Sequence, residues 1–181
     1  MNKNTLPILA VAVIIVGGLL LYFVTPDRKE QLAGVKMGII LGFTGPIESL
    51  TPDMASGAEL AIDEVNKSGA FSFGNVSGVR ADSTCVDSAA ATTAAEKLIT
   101  SDKVNGIMGA DCSGVTTAIL QQVAMANGMV MISPSATSPA LSTVEDNGLF
   151  FRTAPSDARQ GQVVADILKE KGLTRIAISY V

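Results

Sequence analysis

Beyond residue 34, short apolar runs alternate with longer segments in which apolar residues recur every three or four positions. The run at 35–41 ends at Gly42 and is typical of a buried parallel strand. The next segment starts with Thr51 as a predicted N-cap and Pro52 at the first helical position, and Gly69 stops it. The predicted elements are, in chain order, strand 35–41, helix 52–68, strand 79–84, a helix capped by Asp87 and ending near Ser101, strand 104–109, helix 113–126, strand 129–133, strand 149–152, helix 157–171 and strand 175–181.

This alternation predicts an α/β fold with a mostly parallel sheet covered by helices. In such sheets the ligand lies beyond the carboxyl ends of the strands, where loops and helix amino termini converge. We therefore expect a binding site among the four loops that follow predicted strands, which are 42–50, 85–87, 110–116 and 134–138.

An uncharged apolar segment precedes this pattern. Residues 6–24 would rise about 28 Å as a helix, close to the hydrocarbon thickness of a bilayer. The segment is either an uncleaved anchor or a cleavable signal, and the nearest small pair, Ala33 and Gly34, lies too far past it for a typical signal. A buried core helix is disfavoured, because soluble helices rarely stay apolar on every face. We expect the rest of the chain to lie outside the cytoplasm.

Composition excludes several kinds of function. The 181 residues include no His, so the chain itself holds neither a Ser-His-Asp or Cys-His nucleophile nor a His-ligated metal, and we predict no metal site and no cofactor. A net charge of -4, with only two Tyr and six Phe and no Trp, disfavours nucleic acid as a partner. We expect the partner to be a small molecule or a protein.

The loop at 109–116 has the spacing of a phosphate-binding loop between a strand and a helix. Val115 stands where that loop needs a Lys, which argues against a nucleoside triphosphate. The remaining feature is a helix amino terminus suited to one carboxylate, where Ser113 adds a hydroxyl donor. The alternative is that Ser113 is a plain N-cap.

Two further loops have polar or flexible residues at the same predicted edge. The segment 133–139 is rich in hydroxyls and fixed by two prolines, while 42–46 has two glycines that permit close backbone approach. Both could equally be ordinary turns.

Cys85 and Cys112 each follow a predicted strand, 27 residues apart. In an exported protein a disulfide is the favoured interpretation, and two buried thiols are the alternative. Two cysteines alone supply too few ligands for a metal.

Taken together, these segments resemble the periplasmic leucine/isoleucine/valine-binding proteins of ABC transporters, which have the type I periplasmic binding fold. The resemblance spans residues 35–181. It rests on the loop GFTGPI, the helix GAELAIDEVN, the two cysteines at the family's disulfide positions, the run MISPSATSPALS and the hinge-like FRTAPSDARQG.

The resemblance implies two lobes that close over an amino acid. Ser113 would donate its hydroxyl to the ligand carboxylate, together with the backbone N–H groups of Ser135 and Thr137. Ala136, between these two, is also predicted to be a ligand-binding residue. The Ser135 carbonyl and the Thr137 hydroxyl would accept from the ligand ammonium. Leu50 occupies the position where the family often has an aromatic ring over the ligand, so side-chain packing there would differ.

Together, the apolar segment and the resemblance predict the organisation of the chain. Residues 1–34 would be a signal peptide or anchor, 35–156 the first ligand-binding lobe, and 157–181 the start of a truncated second lobe. The protein would lie in the periplasm, attached to the inner membrane by residues 6–24 if they are retained.

Three functions remain to be compared. The first is a solute-binding component that delivers a branched-chain or similar amino acid to ABC permease subunits. The second is the ligand-sensing domain of a membrane-anchored receptor, which the anchor favours. The third, an α/β enzyme, is disfavoured by the missing His and the interrupted phosphate loop.

Overall fold

The computed structural model describes residues 34–178. Its strands are β1 Val35–Leu41, β2 Val76–Asp82, β3 Gly106–Gly109, β4 Met131–Ser133 and β5 Phe150–Arg152. Its helices are α1 Thr51–Ser68, α2 Ser88–Thr100, α3 Ser113–Ile119, α4 Met125–Asn127 and α5 Asp157–Glu170, with a π-helical turn Leu120–Ala124 and a 3-10 turn Pro139–Ser142.

All five strands pair in parallel, in the order β2-β1-β3-β4-β5. Alternate residues of β1 point to opposite faces of the sheet. Ile39 packs with Ala55 of α1 on one face, whereas Ile40 belongs to the larger core that includes Leu98 and Ile119 on the other. The predicted α/β fold with a parallel sheet flanked by helices is therefore confirmed.

The helix boundaries follow the predicted caps with one exception. The Asp87 carboxylate accepts hydrogen bonds from the N–H groups of Ala89 and Ala90, and Gly69 ends α1 in the left-handed conformation. The prediction that Thr51 is the N-cap is wrong, because Thr51 is the first helical residue and Leu50 occupies the N-cap position. The buried Thr51 hydroxyl donates instead to the Gly42 carbonyl at 3.1 Å, which ties α1 to the end of β1.

Two predicted elements differ more from those observed. The predicted helix 113–126 contains the π-helical turn Leu120–Ala124, so it is not one regular α-helix. The predicted strand 79–84 instead spans Val76–Asp82, because the Asn66 side chain bonds both backbone groups of Val76, and Thr84 turns out of the strand with a φ of 56°.

The predicted strand 175–181 is not formed in its described part. Residues 173–178 are neither helix nor strand and are exposed, because no other strand within residues 34–178 lies beside them to pair with. Residues 179–181 and the predicted anchor 6–24 lie outside the described residues. Among residues 34–178, no helix combines the length and apolar character needed to cross a membrane.

The buried Asp111 carboxylate joins three strand ends. One oxygen accepts from the Gly42 N–H at 2.8 Å, and the other accepts from the Ser83 hydroxyl at 3.1 Å and from the Cys112 N–H at 3.0 Å. Gly42 follows β1, Ser83 follows β2, and Asp111 itself follows β3. One side chain therefore fixes the relative positions of the loops at this edge.

A disulfide joins two of the same loops. Cys85 and Cys112 are bonded with a Cα–Cα distance of 5.2 Å, which agrees with the predicted disulfide and excludes two buried thiols. Because β1 lies between β2 and β3, the bond crosses the end of β1 at Gly42, where an added Cβ would be 3.3 Å from that of Cys85. The loop-entropy model gives such a cross-link a stabilisation on the order of 3 kcal/mol.

The loop after β1 is held by Asp82. Its carboxylate accepts from the Thr44 hydroxyl at 2.6 Å and from the Thr84 N–H at 2.8 Å. Partial desolvation raises the pKa of Asp82, but these bonds, with those from the Thr44 and Phe43 N–H groups, outweigh it and lower the pKa below its ordinary value of 3.8.

Replacing Asp111 by Ala should lower the free energy of unfolding by about 3 kcal/mol, since three donors lose a buried acceptor. Urea denaturation followed by circular dichroism measures this loss. Asp63→Ala is the matched control, because its ion pair with Lys67 lies on an exposed helix surface and should contribute little. Equal effects of the two substitutions would contradict the role of Asp111.

The stabilisation from Asp82 should depend on pH. When folding lowers the pKa of a group, that group contributes its full stabilisation at pH values above its pKa in the unfolded state. This stabilisation is lost as the pH falls through the pKa of the folded state. The melting temperature of the parent should therefore exceed that of Asp82→Asn at neutral pH, and the difference should shrink below pH 3.8. When Thr44→Val is already present, adding Asp82→Asn should change the melting temperature less, because Asp82 has lost the Thr44 hydroxyl as a donor. A difference that does not vary with pH would contradict this assignment.

Candidate ligand-binding site

The carboxyl ends of the five parallel strands form one edge of the sheet. The strand order reverses between β1 and β3, and in sheets of this order the ligand crevice lies at that reversal. Gly109 ends β3 there with a φ of 131°, and a Cβ at this position would be 2.0 Å from the Ile40 carbonyl oxygen. Only glycine permits this close approach of β3 to β1.

Ser113 begins α3 at this edge. It is the first helical residue, and the N-cap is Cys112, so the interpretation of Ser113 as a plain N-cap is wrong. Its hydroxyl accepts a hydrogen bond from the Ser138 N–H at 3.1 Å. A hydroxyl that accepts one bond still has its proton to donate. Ser113 thus joins α3 to the loop 134–138 and can also donate to a bound group.

The loop 134–138 is held by hydroxyl groups beneath it. Ser133, fully buried at the end of β4, accepts from the Ala136 N–H at 2.9 Å and donates to the Ala110 carbonyl. The Ser135 hydroxyl donates to the Asp111 carbonyl at 3.0 Å. These bonds fasten the loop after β4 to the loop after β3.

Arg152 holds the same loop from the other side. Its guanidinium donates to the carbonyls of Ala136 at 3.1 Å and Ser138 at 2.9 Å, and also to the Ser142 hydroxyl. With its N–H and carbonyl both engaged, the buried Ala136 serves mainly to shape the loop. The N–H groups of Ser135 and Thr137 donate to no acceptor in the part of the chain that the structure describes.

Thr137 forms a two-bond contact with the start of α5. Its hydroxyl lies 2.8 Å from Oδ2 of Asp157, and its carbonyl accepts from the Asp157 N–H at 2.9 Å. A cleft of about 320 Å³ borders this contact, and its lining includes Thr137, Asp157, Arg159 and the side chains of Val163 and Val164.

Leu50 lies on a different loop from these groups. It immediately precedes α1, and its side chain is 57% exposed. The hydrogen bonds that join Ser113 to the loop 134–138 do not extend to Leu50. The structure therefore brings together Ser113, Ser135, Ala136 and Thr137, whereas Leu50 is accessible but separate from that network.

Four residues of this network were missed as positioning groups by the sequence analysis, namely Asp111, Ser133, Arg152 and Asp157. Asp111 and Ser133 stand at or next to the ends of apolar strands, where a polar residue enters a buried environment. Arg152 and Asp157 lie within the run FRTAPSDARQG, but no spacing rule connects either residue to a loop some 15 to 20 positions earlier.

The network holds hydrogen-bond donors and acceptors on loops that are bonded to each other. The Ser113 hydroxyl and the N–H groups of Ser135 and Thr137 suit a carboxylate, because each offers a neutral hydrogen-bond donor. The Thr137 oxygen and the Asp157 carboxylate can accept from a cation. This arrangement suits reversible binding of a small polar molecule.

Comparison with known proteins agrees with this geometry. Residues 53–181 match the family described as the receptor family ligand binding region. A leucine-, isoleucine-, valine-, threonine- and alanine-binding protein from Pseudomonas aeruginosa is 31% identical over 76% of this chain, which spans 36% of that protein. The chain thus spans little more than a third of that relative.

Solved structures show the same fold. A branched-chain amino acid transporter substrate binding protein from Streptococcus pneumoniae, solved with isoleucine, matches with a TM-score of 0.69 and 29% identity, covering 76% of this chain and 38% of that one. An ABC transporter solute binding protein from R. palustris, solved with benzoate, matches with a TM-score of 0.68 and 26% identity, covering 78% of this chain and 38% of that one.

These relatives are binding proteins, which confirms the prediction that this chain is not an enzyme. The resemblance inferred from the motifs is likewise confirmed. The chain belongs to the family described as the receptor family ligand binding region, and it is similar to the leucine/isoleucine/valine-binding proteins.

Proposed function

We propose that this chain is the first ligand-binding lobe of an extracytoplasmic solute-binding protein, which delivers a branched-chain or similar amino acid to an ABC importer. The observation that carries this proposal is the 3.1 Å bond between Ser113 and Ser138. This bond joins the start of α3 to the loop that carries the N–H groups of Ser135 and Thr137.

The donors of this lobe would bind the ligand carboxylate. The Ser113 hydroxyl and the N–H groups of Ser135 and Thr137 would donate to its oxygens, and the uncapped amino end of α3 adds a favourable dipole. Hydrogen bonds to a charged group contribute more than those between neutral groups. The loop is already fixed by Ser133 and Arg152, so little ordering would be needed on binding.

The acceptors would bind the ligand ammonium. In the proposed arrangement, the Ser135 carbonyl and the Thr137 hydroxyl oxygen would accept hydrogen bonds from it. The apolar side chain of the ligand would be buried as the cleft closes, at about 25 cal/mol per Å² of apolar area. Leu50 would contribute apolar contact from the neighbouring loop.

A second lobe would complete the cleft. In this proposal residues 35–156 form the first lobe and residues 157–181 begin the second. Two observations support it: none of the residues of α5 is buried, and the chain spans 36% of its Pseudomonas relative. Closure of two lobes would remove the ligand from water and strengthen each polar contact.

The proposed location is the periplasm. The Cys85–Cys112 disulfide supports an oxidising compartment, and residues 6–24 have the length and apolar character of an export signal or an inner-membrane anchor. Permease subunits of the importer would be the protein partners.

A ligand-sensing domain of a membrane-anchored receptor is the second candidate. The matching family is described as a receptor ligand-binding region, and retention of residues 6–24 would anchor such a receptor. The gene separates the two candidates: adjacent permease genes indicate the importer, whereas continuation into a signalling domain indicates the receptor.

Ser113→Ala should weaken binding of L-leucine by about 1 to 3 kcal/mol, because the carboxylate loses one donor. The measurement is an NMR titration of the 181-residue chain, which holds half of the proposed cleft and should bind weakly. Ser77→Ala is the matched control, since Ser77 is exposed on β2 near the opposite edge of the sheet. Unchanged leucine affinity in Ser113→Ala would remove this residue from the site, and tight binding by the parent chain would contradict the two-lobe arrangement.

A further inference from the structure

The contact between Thr137 and Asp157 fixes the direction of a hydroxyl group. An ionised carboxylate can only accept hydrogen bonds, so across the 2.8 Å contact the Thr137 hydroxyl is the donor. A threonine hydroxyl has a single proton. Once this proton is given to Asp157, the Thr137 oxygen presents only lone pairs to the binding edge and acts there as an acceptor.

Within the described part of the chain, the Asp157 carboxylate forms no ion pair. The three ion pairs found within residues 34–178 join Lys67 to Asp63, Arg80 to Glu59 and Lys97 to Asp102, and none involves Asp157. Two arginines near this part of the chain have other hydrogen-bond partners. Arg152 donates to loop carbonyls, and Arg159, which lines the same cleft, donates to Gln162 on its own helix.

We infer that Asp157 is a positioning residue that makes the site select ligands with an ammonium group beside the carboxylate. It orients the Thr137 hydroxyl as an acceptor and places a negative charge directly behind it. This inference rests on the proposed function and narrows its ligand class. The fold alone does not impose an amino group, because the similar R. palustris structure holds benzoate, which has none.

A purely structural role for Asp157 makes a different prediction. The two bonds to Thr137 fasten the start of α5 to the loop, and losing that attachment would weaken the binding of any ligand. Asp157→Asn separates the two roles, because its backbone N–H and its amide oxygen can keep both bonds while the charge is lost. The hydroxyl is also no longer obliged to donate, since the amide NH2 can donate to it.

The test compares two probes that differ only in the amino group, L-leucine and 4-methylpentanoate. Each is titrated into the ¹⁵N-labelled 181-residue chain, and the amide signals of Ser113, Ser135 and Thr137 report binding. The parent chain should bind leucine at least about tenfold more tightly than 4-methylpentanoate. In Asp157→Asn this ratio should fall to about two or less, chiefly through weaker leucine binding.

Three further variants make the comparison specific. Asp166→Asn removes the same charge from the same helix, nine residues further on, and should keep the parental ratio. Thr137→Val should lower the ratio as Asp157→Asn does, and Thr137→Ser should restore it, because serine keeps the hydroxyl.

Each outcome decides one question. Equal weakening of both probes by Asp157→Asn, or an unchanged ratio, would overturn the inference and leave the proposed function standing. Failure of both probes to shift the reporter signals in the parent chain would overturn the proposed function itself, and the inference with it.

Discussion

The carboxylate of Asp111 is the constraint on which the arrangement of the ligand edge depends. It is only 3% exposed, and it accepts from groups that follow three different strands. Its own carbonyl accepts from Ser135, so the loop after a fourth strand is tied to the same residue. A buried carboxylate is tolerated only when its oxygens accept hydrogen bonds. Here the donors belong to residues that follow the strands. The hydrogen bonds that this one buried side chain needs therefore hold the loops at a fixed spacing.

In the proposed function, the groups assigned to the ligand are held in position before a ligand binds. The hydroxyl of Ser133 and the guanidinium of Arg152 occupy the inner polar groups of the loop 134–138, and they leave the N–H groups of Ser135 and Thr137 at the edge. Binding can then proceed with little loss of backbone freedom. The polar groups of the loop are thus divided into inner ones that hold it and outer ones that the proposed function assigns to the ligand.

The sequence was sufficient for the parts of the structure that depend on local pattern. The apolar run that ends at Gly42, the cap at Asp87 and the stop at Gly69 each follow from residues close in the chain, and all three are found. Long-range contacts were not predictable in the same way. The start of β2 is set by Asn66 ten residues earlier, and the hydroxyl of Thr51 is engaged by Gly42 instead of capping α1. The candidate site was predicted from loop positions, but the direction of the Thr137 hydroxyl depends on Asp157, twenty positions away.

The Cys85–Cys112 bond has a consequence for how the edge is completed. It passes over the end of β1, between loops that follow the two strands on either side. Thiols in a reducing compartment stay unpaired, and the loops after β2 and β3 would then be joined by the hydrogen bonds of Asp111 without a covalent link. The full set of contacts at this edge therefore forms only under oxidising conditions.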